Sequence, residues 1–174
     1  MIYYQNTELL IRDMCHSDPH IITKEEIAQG WDATCDKYLM RLQDQADKKA
    51  VVLVAEYQNQ VAGYINVYPN APWGPFGNQG YPEIVDFGVL EKFRRKGIGS
   101  KLMDVAEQIA SDYSDTVYLG VGLHSGYGSA QRMYAKRGYL PDGSGVWYRN
   151  QICEPYGPCS NDDDLILYLS KKLR

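Results

Sequence analysis

Residues 83–110 read E-I-V-D-F-G-V-L, then E-K-F-R-R-K-G-I-G-S, then K-L-M-D-V-A-E-Q-I-A, and this stretch decides the fold. Its residues 84–90 are apolar except for Asp86 and include β-branched and aromatic side chains, which is typical of a strand buried on both faces. The apolar residues of its last part are Ile98, Leu102, Val105, Ala106 and Ile109. Because they recur at helical spacing, they predict a helix that begins at or just inside Gly97 and Gly99.

The loop between this strand and this helix has the composition of a phosphate-binding site. Gly97 and Gly99 carry no Cβ, so their backbone N–H groups can approach a bound group and adopt dihedral angles closed to other residues. The first N–H groups of a helix have no partner inside it and lie at the positive end of its dipole. Arg94, Arg95 and Lys96 add positive charge at the same place. The sequence therefore predicts that a pyrophosphate binds at residues 94–100.

Two motifs of the chain, in this order, resemble those of one protein family. The run R-R-K-G-I-G at residues 94–99 fits the Arg/Gln-x-x-Gly-x-Gly/Ala signature of the GNAT superfamily of acyl-CoA-dependent N-acetyltransferases. The run A-Q-R-M-Y-A-K-R-G-Y at residues 130–139 is similar to a later helix of that family, Ala-x-x-Leu-Tyr-x-x-x-Gly-Phe. The resemblance extends more loosely over nearly the whole chain.

The resemblance implies an α/β architecture, the GNAT fold. It consists of a mixed, mostly antiparallel, twisted sheet of six to seven strands with helices on both faces. The length of 174 residues suits one domain, so we expect a single N-acetyltransferase domain over residues 1–174.

Periodicity and turn residues predict the other elements of the fold. In chain order they are a strand at 8–14, helices at 21–31 and 34–46, hairpin strands at 50–57 and 61–68, a strand at 116–121, a helix from Ser129 and a strand at 165–170. Residues 69–82 contain four prolines, three glycines and three aromatic residues, which predicts a loop. That loop could line an acceptor pocket or simply be a rigid surface connection.

Composition disfavours several classes of protein. The net charge of -4 disfavours general binding to nucleic acid, although residues 92–96 are basic. No apolar stretch approaches the ~20 residues that span a bilayer, and the start M-I-Y-Y-Q-N-T-E lacks the features of a signal peptide. We therefore expect a cytoplasmic protein that binds neither nucleic acid nor membrane.

The cysteines and histidines do not predict a metal site. The four cysteines are scattered and form no C-x-x-C pair, so free thiols are expected in a reducing cytosol. Residues 15–20, C-H-S-D-P-H, contain four potential ligands, but no second cluster completes a tetrahedral set. Short polar runs between elements are usually turns, so we expect no metal.

The resemblance also implies which residues bind the cofactor. The end of the central strand would part from its neighbour and leave backbone groups for the pantetheine arm and the acetyl oxygen. Tyr127 stands where many relatives carry an asparagine that bonds the pantetheine arm. The implied cofactor-binding residues are Phe87, Gly88, Val89, Arg94, Arg95, Lys96, Gly97, Ile98, Gly99, Ser100 and Tyr127.

Acetyl transfer from a thioester to an amine also needs an acid and a base. Tyr134 matches the family tyrosine, and a phenol of pKa ~10 can protonate a thiolate of pKa ~8.5 with a small uphill step. An amine of pKa ~10 arrives protonated and must lose its proton. Glu83, at the start of the central strand where many relatives carry a glutamate, is the candidate base. Asp86 is the second candidate, and by strict alternation it faces the side opposite to Glu83 and Phe87.

The predicted function is transfer of an acetyl group from acetyl-CoA to a primary amine by direct attack in a ternary complex. No cysteine lies in either motif, which argues against a covalent acyl-enzyme. The acceptor can be a small molecule or a peptide, and a homodimer is possible because dimers are common among relatives. The alternative is a non-catalytic GNAT-like module that binds acyl-CoA and regulates without turnover.

Overall fold

The computed structural model describes residues 1–174 and contains nine strands and four α-helices. The strands are β1 (Ile2–Gln5), β2 (Leu9–Asp13), β3 (Val51–Tyr57), β4 (Gln60–Tyr68), β5 (Glu83–Val89), β6 (Thr116–Gly122), β7 (Leu140–Tyr148), β8 (Gln151–Ile152) and β9 (Leu165–Lys172). The helices are α1 (Asp18–Ala28), α2 (Cys35–Ala46), α3 (Ile98–Ser111) and α4 (Gly128–Lys136). Single 3-10 turns occupy Glu91–Phe93 and Ser125–Tyr127.

The strands are hydrogen-bonded in the order β1-β2-β3-β4-β5-β6-β9-β7-β8. β5 and β6 run parallel, whereas the ladders β1–β2, β2–β3, β3–β4, β6–β9, β7–β8 and β7–β9 are antiparallel. The predicted mixed, mostly antiparallel α/β sheet is therefore confirmed. It has nine strands rather than six to seven, because β1 and β8 are short edge strands of four and two residues.

The chain divides into two compact units. The first contains residues 1–68 and 85–109, and the second contains residues 69–84 and 110–174. Glu83 and Ile84, the first two residues of β5, belong to the second unit, and the rest of β5 belongs to the first. The single domain over residues 1–174 stays a prediction.

The core of the first unit centres on β3 and β4. Residues 52–55 of β3 are completely buried, as the nearly continuous apolar sequence predicts. Gln58 and Asn59 connect the two strands, and both adopt left-handed conformations, with φ of 49° and 63°. Such two-residue turns match the twist of the flanking strands, so the predicted hairpin forms with a tight connection.

The core of the second unit centres on β6 and β9. Gly120 lies opposite Tyr168 in the antiparallel ladder, and a Cβ on Gly120 would lie 3.3 Å from the Tyr168 ring. A Cβ on Gly74 would meet the same ring at 2.5 Å, so loop 69–82 packs directly on β9. The hydroxyl of Tyr118 donates to the carbonyl of Trp73 at 3.0 Å. Loop 69–82 is therefore an anchored connection.

The boundaries of α1 differ from the predicted ones because a proline lies in its first turn and a glycine follows its end. α1 begins at Asp18 rather than residue 21, because Pro19 occupies the first turn, where its missing N–H costs no hydrogen bond. α1 ends at Ala28 rather than residue 31, and Gly30 beyond it is left-handed, with φ of 86°. No helix combines the length and the apolar character needed to cross a membrane.

Several buried tyrosines predict how stability depends on pH. Burial is the main cause that raises the pKa of Tyr38, Tyr64, Tyr118 and Tyr134, and it raises that of Tyr168 to about 12. In an unfolded chain a phenol ionises near pH ~10, so above that pH the unfolded state binds fewer protons than the folded state. The stability that these phenols contribute is complete below pH ~10 and is lost as the pH rises further.

We therefore expect the free energy of unfolding to stay level up to pH ~10 and then to fall. Absorbance at 295 nm should show exposed tyrosines that ionise gradually and buried ones that ionise in one step together with loss of far-UV circular dichroism. Smooth titration of all tyrosines near pH ~10 with secondary structure intact would contradict this expectation.

Candidate active site

The loop between β5 and α3, in the first unit, has the backbone conformation of an anion site. Arg95 and Gly97 are both left-handed, with φ of 63° and 78°, and α3 begins at the next residue, Ile98. Left-handed residues alternating with others aim successive N–H groups at one point. The N–H of Lys101 donates to the carbonyl of Gly97 at 3.1 Å, so the N–H groups of Ile98 and Gly99 precede the first helical hydrogen bond.

The basic side chains of this loop are exposed and lie on aromatic rings. The Arg94 guanidinium lies 5.6 Å from the centroid of the Trp31 ring, and the Lys96 ammonium lies 5.0 Å from that of Tyr57. Arg94 also lies 3.5 Å from the carboxylate of Glu91. The rings hold the two cations beside the loop while leaving them accessible to an anion.

Gly99 sets how closely α3 approaches β5. A Cβ on Gly99 would lie 3.1 Å from Cζ of Phe87 and 3.4 Å from Cγ2 of Val89, so both side chains face α3. Ile98 is buried, with 1% exposure, and anchors the helix start. A larger residue at position 99 would push the helix start away from the strand.

Asp86 interrupts the regular alternation of β5. It is left-handed, with φ of 50°, so strict alternation does not relate Glu83 to Phe87. Its carboxylate lies 2.7 Å from Nε of Arg41 and 3.5 Å from Nζ of Lys37. Both ion pairs engage the carboxylate of Asp86, the second candidate base.

Gly88 lies against a tyrosine of the neighbouring strand. A Cβ on Gly88 would lie 2.7 Å from both Cζ and Oη of Tyr64. On β4 itself, a Cβ on Gly63 would lie 2.7 Å from the carbonyl oxygen of Gly88. Residues 87–89 can therefore pack this closely on β4 only because Gly88 and Gly63 have no side chains.

Glu83, in the second unit, is a buried carboxylate among aromatic side chains. It is 6% exposed and lies opposite Tyr118 in the parallel ladder of β5 and β6. That ladder covers only Glu83 and Ile84, so residues 87–89 are not part of it. After burial, the charge of Glu83 is the next cause that raises the pKa of both Tyr118 and Tyr168. Glu83 therefore lies close to both phenols.

The predicted loop 69–82 contributes Phe76 to an aromatic cluster that contains the buried Tyr118 and Tyr168. The ring centroid of Phe76 lies 5.0 Å from that of Tyr118, and the centroid of Trp147 lies 5.4 Å from that of Tyr168. An aromatic cluster beside a carboxylate suits an ammonium group, which is attracted to both.

Tyr134, the predicted acid, lies on α4 and is 6% exposed. Its ring centroid is 5.8 Å from that of Tyr139. Burial, followed by the proximity of Tyr127, raises the pKa of Tyr134 well above its usual range. The phenol therefore keeps its proton at neutral pH, but donating it to a thiolate is more uphill than it would be for an exposed phenol.

Tyr127, the predicted contact for the cofactor arm, is engaged within the second unit. Its hydroxyl donates to Asp163 at 2.8 Å, and its ring fills the space that a side chain at Gly122 would need. His124 binds the same carboxylate, with Nε2 2.9 Å from Oδ1. Because Nδ1 of His124 accepts from the N–H of Gly126, Nε2 is the nitrogen that donates. His124 is thus a structural residue.

The sequence profile of the Acetyltransferase (GNAT) family matches residues 17–139, more than two thirds of the chain. The chain belongs to the GNAT family of acetyltransferases. Among curated proteins, none matches the chain.

Solved structures share the GNAT fold at low sequence identity. YncA of Salmonella typhimurium, solved with its cofactor acetyl-CoA, is 18% identical, with a TM-score of 0.67 over 97% of this chain and 95% of that one. The Salmonella typhimurium acetyltransferase that modifies the N-terminal serine of ribosomal protein L7/L12 is 11% identical, with a TM-score of 0.73 over 100% of both chains. Ard1 from Thermoplasma volcanium is 18% identical, with a TM-score of 0.69 over 97% of this chain and 99% of that one.

A charged cleft of about 310 Å³ in the first unit of this GNAT protein lies apart from the predicted site residues. None of the residues predicted to bind the cofactor lines it. Its charged side chains already pair with one another: Arg12 binds Asp18 and Glu56, and Lys92 binds Glu25. The charged side chains that line this cleft therefore form a network of ion pairs at the surface.

The sequence reading missed one buried polar cluster, formed by Glu26, Tyr38 and Tyr64. Glu26 is 3% exposed and accepts hydrogen bonds from both phenols. Glu26 lies four residues after the buried Ile22, on the same face of α1. A glutamate at the spacing of an apolar core residue was the available signal.

A substitution at Gly97 tests the anion loop. Gly97→Ala places a Cβ on a left-handed residue, which costs about 1–2 kcal/mol, although nothing lies within 4 Å of that Cβ. We expect the loop to shift and the Kd for acetyl-CoA, measured by calorimetry, to rise about tenfold.

Gly128→Ala is the matched control. Gly128 begins α4 with helical angles, φ of -57° and ψ of -37°, and also has nothing within 4 Å of an added Cβ. This variant should bind acetyl-CoA like the wild type. Equal affinities for Gly97→Ala and the wild type would argue against binding at the loop.

Proposed function

We propose that this GNAT protein transfers the acetyl group of acetyl-CoA to a primary amine by direct attack within a ternary complex. The observation that carries the proposal is the loop at the start of α3. Two left-handed residues, Arg95 and Gly97, and exposed cations surround the first N–H groups of the helix. That arrangement suits the pyrophosphate of coenzyme A.

Different residues of the chain would bind different parts of acetyl-CoA. Acetyl-CoA supplies the acetyl thioester as a cosubstrate. Residues 94–100 would bind its pyrophosphate, and backbone groups of Phe87, Gly88 and Val89 would bind the pantetheine arm and the acetyl oxygen. Amides that are fixed in advance around a developing oxyanion can contribute a few kcal/mol.

Proton transfer would involve two side chains of the second unit. Tyr134 would donate its proton to the leaving thiolate. Glu83 would accept a proton from the incoming ammonium, because it is buried beside the phenols of Tyr118 and Tyr168.

The acceptor we propose is an amine bound at the aromatic cluster beside Glu83, either a small molecule or a peptide N-terminus. The peptide class is worth testing because one protein with the same fold modifies the N-terminal serine of a ribosomal protein. A cytoplasmic location and a homodimer stay predictions, and sedimentation velocity would test the second.

The test is thiol release from acetyl-CoA with a panel of primary amines: tyramine, spermidine, lysine, and peptides that begin with serine or alanine. Wild-type protein should acetylate at least one of them. Tyr134→Phe should lower kcat by about 10²-fold or more with that amine, because the thiolate then leaves unprotonated. Tyr156→Phe, at a fully exposed tyrosine, is the control and should not change kcat.

Glu83→Gln should show a distinct pH profile. At neutral pH the amine, of pKa ~10, is mostly protonated, and each unit rise in pH gives about ten times more neutral amine. The deficit of this variant should therefore shrink as the pH rises. Tight binding of acetyl-CoA without turnover of any amine would favour the regulatory alternative.

A further inference from the structure

Amine acetylation requires the removal of two protons from nitrogen, and Glu83 accounts for one. The ammonium must lose a proton before it attacks, and the nitrogen, once bonded to the acetyl carbon, carries another that must leave. The thiolate takes up one proton, so the complete reaction releases one. A second proton acceptor is therefore needed where the new bond forms.

The first unit holds a buried acid–phenol cluster beside the strand segment that is proposed to bind the acetyl group. Glu26 of α1 accepts from the hydroxyl of Tyr38 at 2.5 Å through Oε2 and from that of Tyr64 at 2.5 Å through Oε1. The two phenol oxygens are 3.0 Å apart. All three side chains are buried, with exposures of 3%, 1% and 5%.

The protons of this cluster can be assigned from its geometry. Each phenol has one proton, and both donate to the carboxylate at distances typical of charged O–H···O⁻ bonds. Burial, followed by contributions from their neighbours, raises the pKa of both phenols, so they keep their protons. Glu26 therefore carries the negative charge, and the cluster can accept one more proton.

Charged side chains of α2 and β5 lie beside the cluster. Nζ of Lys37 lies 5.1 Å from the centroid of the Tyr38 ring and 5.8 Å from that of Tyr64. The nearby carboxylate of Asp86 is bound by Arg41 at 2.7 Å. Lys37 also pairs with Asp86, at 3.5 Å, so one ammonium group lies beside both the phenol rings and this ion pair.

Tyr64 brings the cluster to the proposed site of reaction. Its Oη lies 2.7 Å from the position that a Cβ of Gly88 would occupy, so no side chain of Gly88 covers the hydroxyl. The edge-to-face packing of its ring on Tyr38, with centroids 5.2 Å apart, fixes the hydroxyl in place.

We infer that Tyr64 relays the second proton from the acetylated nitrogen to Glu26, a role that rests on the proposed acetyl transfer. The N–H bond breaks and leaves its electron pair on nitrogen, while the phenol oxygen of Tyr64 takes the proton. The original Tyr64 proton moves to Oε1 of Glu26, which becomes neutral. After the amide leaves, the proton returns through Tyr64 to water.

The chain offers a matched pair of variants to test this relay. Tyr64→Phe and Tyr38→Phe each remove one phenol that donates to Glu26 at 2.5 Å, from similarly buried positions. Only Tyr64 lies against Gly88. A purely structural role for the cluster predicts similar defects in both variants, whereas the relay predicts a defect in kcat for Tyr64→Phe alone.

With the amine that wild-type protein acetylates fastest, Tyr64→Phe should lower kcat about 10²-fold, and Tyr38→Phe should lower it less than about tenfold. Glu26→Gln should match Tyr64→Phe. For these two, kcat at saturating amine should rise as the pH rises from 7 to 9, because hydroxide replaces the missing acceptor. The wild type and Tyr38→Phe should share one pH profile.

Two measurements that do not depend on turnover, cofactor affinity and thermal stability, show whether a variant is misfolded. Calorimetry should give the same Kd for acetyl-CoA in all variants, and the thermal midpoints of Tyr64→Phe and Tyr38→Phe should be similar. Equal losses of kcat in these two variants, with unchanged pH profiles, would overturn the relay and leave the proposed function intact. Binding of acetyl-CoA by the wild type without turnover of any panel amine would overturn both.

Discussion

The left-handed conformation of Asp86 in the middle of β5 is the constraint on which the arrangement of residues 87–89, proposed to bind the cofactor, depends. Its ion pairs with Arg41 and Lys37 stabilise a backbone conformation that costs a non-glycine residue roughly 1–2 kcal/mol. Beyond it, Phe87 and Val89 face α3, while Gly88 faces Tyr64 of β4. Asp86 is therefore better explained as a fixed structural residue than as a base.

The buried carboxylates of this protein differ in the chemistry of their partners. Asp18 forms an ion pair with the guanidinium of Arg12 at 2.7 Å. Glu26 is bound by phenols, and Glu83 lies among phenols, which can donate hydrogen bonds without neutralising the charge. The partner, a guanidinium in one case and two phenols in the other, thus distinguishes the ion-paired Asp18 from Glu26.

Local sequence predicted the features that depend on neighbouring residues. The strand, basic loop and helix of residues 83–110, the hairpin around Gln58 and Asn59, and loop 69–82 all follow from residues that lie close together in the chain. The short strands β1 and β8 could not be predicted, because four and two residues carry no measurable periodicity.

Features that depend on contacts between residues far apart in the chain could not be predicted from the sequence. The cluster of Glu26, Tyr38 and Tyr64 joins two helices to a strand, and its members are 12 to 38 residues apart in the chain. No local sequence pattern predicts contacts over such separations. The interruption at Asp86 depends on Arg41, 45 residues away. The predicted sides of β5 that rest on strict alternation do not continue past Asp86 for the same reason.

The placement of Arg94 and Lys96 over Trp31 and Tyr57 has a consequence for how an anion is captured. Long basic side chains normally lose considerable rotamer freedom when they engage a ligand. Here the aromatic rings have already restricted that freedom, so the entropy cost of capture is lowered in advance. An anion bound at this loop of an acidic protein would thus be recognised by a small, preorganised patch and not by a long-range attractive field.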